Sequence, residues 1–213
     1  MIIVSIVSII TLFAIWVISG YLPTMNIAMP AYEVIEKKPE YEIRRYASYI
    51  VAETHQMGSQ GESLSRGFNE LFRYISGNNI ARSRISMTAP VLKNTEAEGQ
   101  KIPMTAPVIS QGEKDSSIIA FVMPLGFTLE NIPQPNSKKV TLRVVQPRTV
   151  AAITFSGYAT EERTRKNAEK LLSALKRDGR NVKSATQTAL YNPPWTPPFM
   201  RRNEVMVEIS QAD

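Results

Sequence analysis

The chain has 213 residues, a formal net charge of +6, one histidine and no cysteine. These counts exclude disulfides, thiolate metal sites, a cysteine nucleophile and any multi-histidine metal cluster. Basic residues are dispersed among acids, as in Glu36-Lys37-Lys38 and Arg201-Arg202, with no long basic run interleaved with aromatics, so no nucleic-acid partner is expected.

Residues 2–19 are apolar all round, and the first charge in the chain is Glu33. As a helix the stretch would cover about 27 Å, close to the thickness of a hydrocarbon core. Trp16 and Tyr21 lie toward its end, where amphipathic rings suit a membrane interface. A cleaved signal peptide is the competing reading. The missing basic n-region and the long apolar run favour a retained single-pass anchor over residues 1–21. Lys37 and Lys38 are too diluted by acids to set an orientation, so the membrane side stays open, and cleavage would make the remainder a secreted or periplasmic protein. Residues 22–31 read as an uncharged linker with two prolines. Residues 32–210 are enough for one ordinary domain.

From Tyr32 the pattern turns to period two and predicts short strands over 32–36, 41–46 and 49–55. Over 62–75, Leu64, Phe68, Leu71, Phe72 and Ile75 fall at i, i+4, i+7, i+8 and i+11, which is one face of an amphipathic helix. Gly77 is its terminator, and Arg66 and Arg73 share another face. A seven-residue phrase then occurs twice. Ile85-Ser86-Met87-Thr88-Ala89-Pro90-Val91 returns as Ile102-Pro103-Met104-Thr105-Ala106-Pro107-Val108, with six of seven letters identical. Around the polar run 92–101 this predicts a hairpin over 84–110, its prolines at strand ends or a sheet edge. Strands are expected at 117–124, 140–146 and 149–156, after a Pro- and Asn-rich loop at 125–137. A second long helix is predicted over 160–177, with acids in its first turn and Ala168, Leu171, Leu172 and Leu175 on its apolar face. The last strands are 186–191 and 203–209, separated by a loop with four prolines. Strands, helix, strands, occurring twice, predict an α+β fold. The expected form is a distorted antiparallel β-barrel of about eight or nine strands with two α-helices in two similar halves, after the N-terminal transmembrane helix.

Phosphate-loop, dinucleotide, zincin and nucleophile-elbow motifs are all absent, and no carboxylate pair is marked for acid–base work, so an enzyme is not expected. A site for an apolar or amphiphilic ligand is better supported. Leu64, Phe68, Leu71 and Phe72 would come from the first long helix. Met87 and Met104 would be flexible wall or core residues of the hairpin. Trp195 and Phe199 would come from the late loop, where the alternative is a loop packed on the sheet. Arg66 is placed to meet a ligand carboxylate; an exposed helix arginine is the alternative. His55 is a surface histidine at a strand end or, more weakly, a metal ligand.

Several of these stretches together resemble the SOUL heme-binding protein family. They are Tyr41-Glu42-Ile43-Arg44 with Tyr46, the helix around 64–74, the twin phrase, Gly157-Tyr158, and Tyr191-Asn192-Pro193-Pro194 followed by Arg201-Arg202-Asn203-Glu204-Val205. The resemblance covers nearly all of residues 32–209. It implies a barrel of two similar halves and non-covalent binding of heme or a related tetrapyrrole in an apolar groove beside the first long helix, for buffering or transport at a membrane. It also implies that Arg66 meets a propionate. Two departures stand out. Thr196 occupies a place that is basic in the family, and Arg45 stands where some members have a histidine, so the axial ligand is unknown. Two alternatives stay open: a general binder of planar or amphiphilic small molecules with a regulator-effector-like fold, and a protein-interaction module of the cell envelope.

Overall fold

The computed structural model describes residues 2–25, 27–81, 99–113 and 116–210. In chain order the elements are α1 (Ile2–Tyr21), β1 (Tyr32–Lys37), β2 (Glu42–Tyr46), β3 (Tyr49–Met57), α2 (Gln60–Ile75), β4 (Asn79–Ile80), β5 (Val108–Glu113), β6 (Ser116–Val122), β7 (Gln134–Pro135), β8 (Thr141–Val145), β9 (Arg148–Phe155), α3 (Glu161–Arg177), β10 (Gln187–Leu190) and β11 (Asn203–Glu208). The class is α+β with antiparallel pairing, as the periodicities predict. The chain divides into two compact units.

The first unit comprises Met1–Ile27, Glu33–Arg45 and Thr149–Asp213. Its strands are hydrogen-bonded in the order β1-β2-β9-β11-β10. β9 and β11 are antiparallel with Phe155 opposite Asn203, and β10 and β11 with Gln187 opposite Met206. α3 lies on this run. Thr160 caps it by accepting a hydrogen bond from the Arg163 N–H at 3.3 Å, with Glu161 and Glu162 in the first turn and Lys176 and Arg177 in the last. Both charge placements suit the helix dipole. Leu171, Ala174 and Leu175 are buried against Ile43, Ala151, Ile153, Val205 and Val207. Leu172, predicted on the same face, points outward instead.

The second unit comprises Ala28–Tyr32 and Tyr46–Arg148. Its strands run β5-β6-β3-β8, with Val51 opposite Val122 and Tyr49 opposite Val145. α2 covers this run, and Gly77, at a φ of 115°, closes it where a side chain would be strained. The predicted hairpin of the twin phrase lies partly outside the described residues. The first copy lies outside the described residues. The second copy is not a strand until Val108, and the hairpin partner of β5 is β6. Pro103 and Pro107 lack the N–H that a ladder needs. The intervening groups are tied individually: Ile102 N–H to the Ile75 carbonyl at 2.8 Å, Ala106 N–H to the Ala28 carbonyl at 2.9 Å, and the Thr105 hydroxyl to the Val122 carbonyl. The loop predicted over 125–137 contains β7, which pairs with β4.

Candidate functional site

α2 is not rotated onto the sheet as its apolar spacing predicts. The residues it buries are Ser63, Gly67, Leu71, Tyr74 and Ile75. Gly67 is the reason. A Cβ there would lie 2.5 Å from Ile119 Cγ1 and 2.7 Å from Ile119 Cβ, so the bare glycine lets the helix settle directly onto β6. Leu71 thereby becomes wholly buried core rather than ligand wall, and the Tyr74 hydroxyl reaches the Pro133 carbonyl at 2.7 Å. The rest of the predicted stripe is displaced to the helix flank. Phe68 is half-buried, edge-on to Phe121 at 5.2 Å. Phe72 is 46% exposed, and its ring stacks on Phe68 at 6.0 Å with only 9° between the planes. Leu64 is half-buried one turn before Phe68. The outer flank of α2 thus carries an apolar strip that presents parallel rings.

Arg66 is exposed on α2, and its Nη2 donates to the Met57 carbonyl at the end of β3. That contact engages one of the five N–H donors of a guanidinium. It also lies over Gly58, where a Cβ would stand 2.7 Å from Arg66 Nη2. Met104 is part-exposed beyond Ile102, while Met87 lies outside the described residues. His55 is exposed on β3. Its neighbour Gln56 has its Cγ 3.3 Å from the Cβ position of Gly67, so Gln56 faces α2, and strand alternation sends His55 to the opposite face. Among the described residues no group of three or more His, Cys, Asp or Glu could hold a metal. The flank of α2 that carries Leu64, Phe68 and Phe72 thus presents apolar rings and no histidine, while Arg66 lies about 160° around the helix from Phe68, on the side of Met57 and Gly58.

Trp195 and Phe199 belong to the first unit, where they contact α1. Trp16 Nε1 donates to the Trp195 carbonyl at 2.9 Å, Trp195 Nε1 donates to the Ser19 carbonyl at 3.2 Å, and Phe13 stacks on Phe199 at 6.3 Å. Thr196, at the place that is basic in the resembled family, is buried and donates its hydroxyl to the Gly20 carbonyl.

The same unit holds a polar centre that spacing alone did not reveal. Arg44 and Glu204 are 2% and 0% exposed and form a bidentate pair at 2.8 and 3.0 Å. Glu42 accepts from Arg44 at 3.0 and 3.1 Å. Tyr191 donates to Glu204 at 2.7 Å, Thr154 at 3.2 Å, and Arg202 at 2.8 and 3.1 Å. Burial alone would raise the Glu204 carboxyl, but the bonds and charge of Arg44, aided by Arg202, outweigh it and hold the group below the usual range. Tyr41 donates to Asp178 at 2.7 Å; burial and that bond push the phenol up to about 12. The Tyr-Glu-Ile-Arg and Arg-Arg-Asn-Glu stretches are thus the two halves of one buried fastening. The available signal was an unlike charge in each of two strands that otherwise read as core.

A cleft of about 400 Å³ opens elsewhere in the second unit, lined by Tyr49, Ile50, Met123, Phe127, Leu129 and Glu130 among others. None of the described sequence-predicted site residues lines it. Among the described residues none that lines it is basic and Glu130 is acidic, so this lining suits a neutral or cationic amphiphile better than a ligand bearing carboxylates.

Among solved structures the fold is shared with EcmrR in an EcmrR–DNA complex (10% identity, TM-score 0.56, covering 81% of this chain and 58% of that one). It is also shared with the EcmrR C-terminal domain (9% identity, TM-score 0.52, 85% and 99%). A third likeness is a crystal structure described as a hydrolase from Listeria innocua (10% identity, TM-score 0.52, 83% and 94%). At such identities these likenesses speak to fold alone. A comparison with curated proteins found no match. The family model for SOUL heme-binding protein matches residues 27–98 and 92–208, which together span most of the chain and both polar stretches of the buried fastening. The chain belongs to the SOUL heme-binding protein family.

Proposed function

We propose that the protein is a non-catalytic binder of heme or a related tetrapyrrole, held at a membrane by α1 and serving to buffer or carry that ligand. The carrying observation is the strip Leu64–Phe68–Phe72, whose two phenyl rings lie nearly parallel on the outer flank of a helix whose other side is wholly engaged by the sheet. Planar ligands gain from offset stacking on such rings beyond the area they bury. Arg66 lies on the same helix, about 160° around its axis from Phe68, and to meet a propionate it would exchange its bond to the Met57 carbonyl and reach around the helix. Membership of a family of heme-binding proteins supports the ligand class. The retained anchor is supported by α1, a helix long and apolar enough to cross a membrane; a signal sequence meets the same test.

Titrating hemin into the full chain in detergent micelles, followed at the Soret band, tests the site. Because Arg66 is exposed, its propionate contact is worth about 0.5–1 kcal/mol, so Arg66→Ala is expected to weaken binding about two- to five-fold. An unchanged affinity would remove Arg66 from the site.

A second reading rests on the cleft beside Tyr49 and Phe127, whose electrostatics suit a hydrophobic cation. On that reading a lipophilic cation binds without displacing hemin. Competition between the two would place both ligands in one site.

A further inference from the structure

The loop of residues 192–200 runs alongside α1 and is fastened to it at successive levels. Nearest the end of α1, the Thr196 hydroxyl donates to the Gly20 carbonyl at 3.3 Å, and Pro197 Cδ lies 2.5 Å from the Cβ position of Gly20. One turn back, the Trp16 and Trp195 indoles each donate to a carbonyl on the other's segment. Farther back, Phe199 stacks on Phe13. Phe13 precedes Tyr21 by eight residues, which is about 12 Å along the helix axis. Trp195 and Phe199 nevertheless remain 55% and 60% exposed.

This geometry has a direct consequence if α1 crosses a bilayer. Apolar helix and loop share the same 12 Å, so the loop cannot stay in water while Phe13 lies among acyl chains. Many of the loop's backbone groups are also paired within the protein, as a medium short of hydrogen-bond partners favours. Pro193, Pro194, Pro197 and Pro198 bring no N–H. The Thr196 N–H is bonded to the Pro193 carbonyl and the Met200 N–H to the Pro197 carbonyl. The Arg201 guanidinium, at the base of the loop, takes up the Pro194 and Thr196 carbonyls, and the Pro198 carbonyl accepts from the Gly157 and Arg201 N–H groups. Arg201 also lies over the exposed Tyr158 ring at 4.3 Å, a basic and aromatic pairing suited to the headgroup level.

We propose that the loop of residues 192–200 is a membrane wedge, with Trp195 and Phe199 inserted into the lipid beside α1. The partner it takes is the bilayer. The inference rests on the reading of α1 as a retained anchor, and its test separates the two.

The chain has two tryptophans, so Trp16→Phe leaves Trp195 as sole reporter and Trp195→Phe leaves Trp16. Each full-length variant is reconstituted into phosphatidylcholine vesicles with or without lipid brominated near the headgroup end of its acyl chains. Trp195 is expected to lose roughly half its emission to the brominated lipid and to be shielded from aqueous iodide. Adding Phe199→Asp to Trp16→Phe should abolish that loss. Trp16 quenched with Trp195 unquenched would overturn the wedge and leave the anchor standing. Neither residue quenched would overturn the anchor, and the wedge with it. Quenching of Trp195 that survives Phe199→Asp would overturn the role given to Phe199.

Discussion

Glu204→Gln is expected to destabilise the protein by about 3–5 kcal/mol, because it leaves the buried Arg44 guanidinium charged without its bidentate carboxylate. The cost exceeds that of a surface pair because neither Arg44 nor Glu204 has access to solvent, and Glu42, Thr154, Tyr191 and Arg202 converge on the two. Denaturant unfolding of the full chain in micelles would show the loss as a lower midpoint with unchanged slope. Replacing both members, as Arg44→Met with Glu204→Leu, should recover part of it, since the uncompensated charge is then gone. Full recovery is not expected, because Arg202, Tyr191 and Thr154 would each lose the Glu204 carboxylate they now meet. The pH dependence carries a sign. The Glu204 carboxyl is held low in the folded state, so its contribution is complete above the unfolded value of about 4.3 and is lost as pH falls through the folded one. The gap between wild type and Glu204→Gln should therefore be full at neutral pH and narrow under acid. A gap that widens under acid would contradict the assignment.

Gly67→Val is expected to cost about 3 kcal/mol or more. Two effects compete when a side chain is added in mid-helix. Replacing glycine generally helps a helix, by about 1 kcal/mol for alanine and less for a β-branched residue. Against that, a Cβ would stand within 2.7 Å of two Ile119 side-chain atoms, and Ile119 is wholly buried on a central strand with no room to retreat. The overpacking wins. Its effect reaches the candidate site, because lifting α2 off β6 also separates Phe68 from Phe121. Combining Gly67→Val with Ile119→Ala should cost less than the sum of the two, and the coupling read from that cycle measures the contact. Strict additivity would show that the helix already stands clear of the strand.

Those two positions also mark where the sequence was legible and where it was not. The helices α2 and α3 declared themselves through period and through caps such as Thr160 and Gly77, and most strands through alternation. The stripe Leu64–Phe68–Leu71–Phe72 reads as one apolar face because a glycine scores as nothing in a pattern of apolar residues. In the fold Gly67 is the closest approach, and the stripe turns to the flank around it. The second copy of the twin phrase failed as a strand because its prolines forbid a ladder that its other letters favour. The pairing of Arg44 with Glu204 joins residues 160 positions apart, beyond the reach of any local pattern. Trp195 and Phe199 were grouped with the ligand wall on chemistry, and their contact with α1 was equally invisible without the fold.

The central claim is that a tetrapyrrole lies against the outer flank of α2, and Phe72→Asp tests it most directly. Phe72 is 46% exposed, so folding is not at stake, yet it supplies the outer of the two parallel rings. With hemin titrated into the full chain and micelles alone as control, wild type should saturate at a single site. Phe72→Asp should weaken binding about tenfold, the order expected for losing one aromatic stacking face. Binding no stronger than to empty micelles, or an affinity that Phe72→Asp leaves unchanged, would contradict the account.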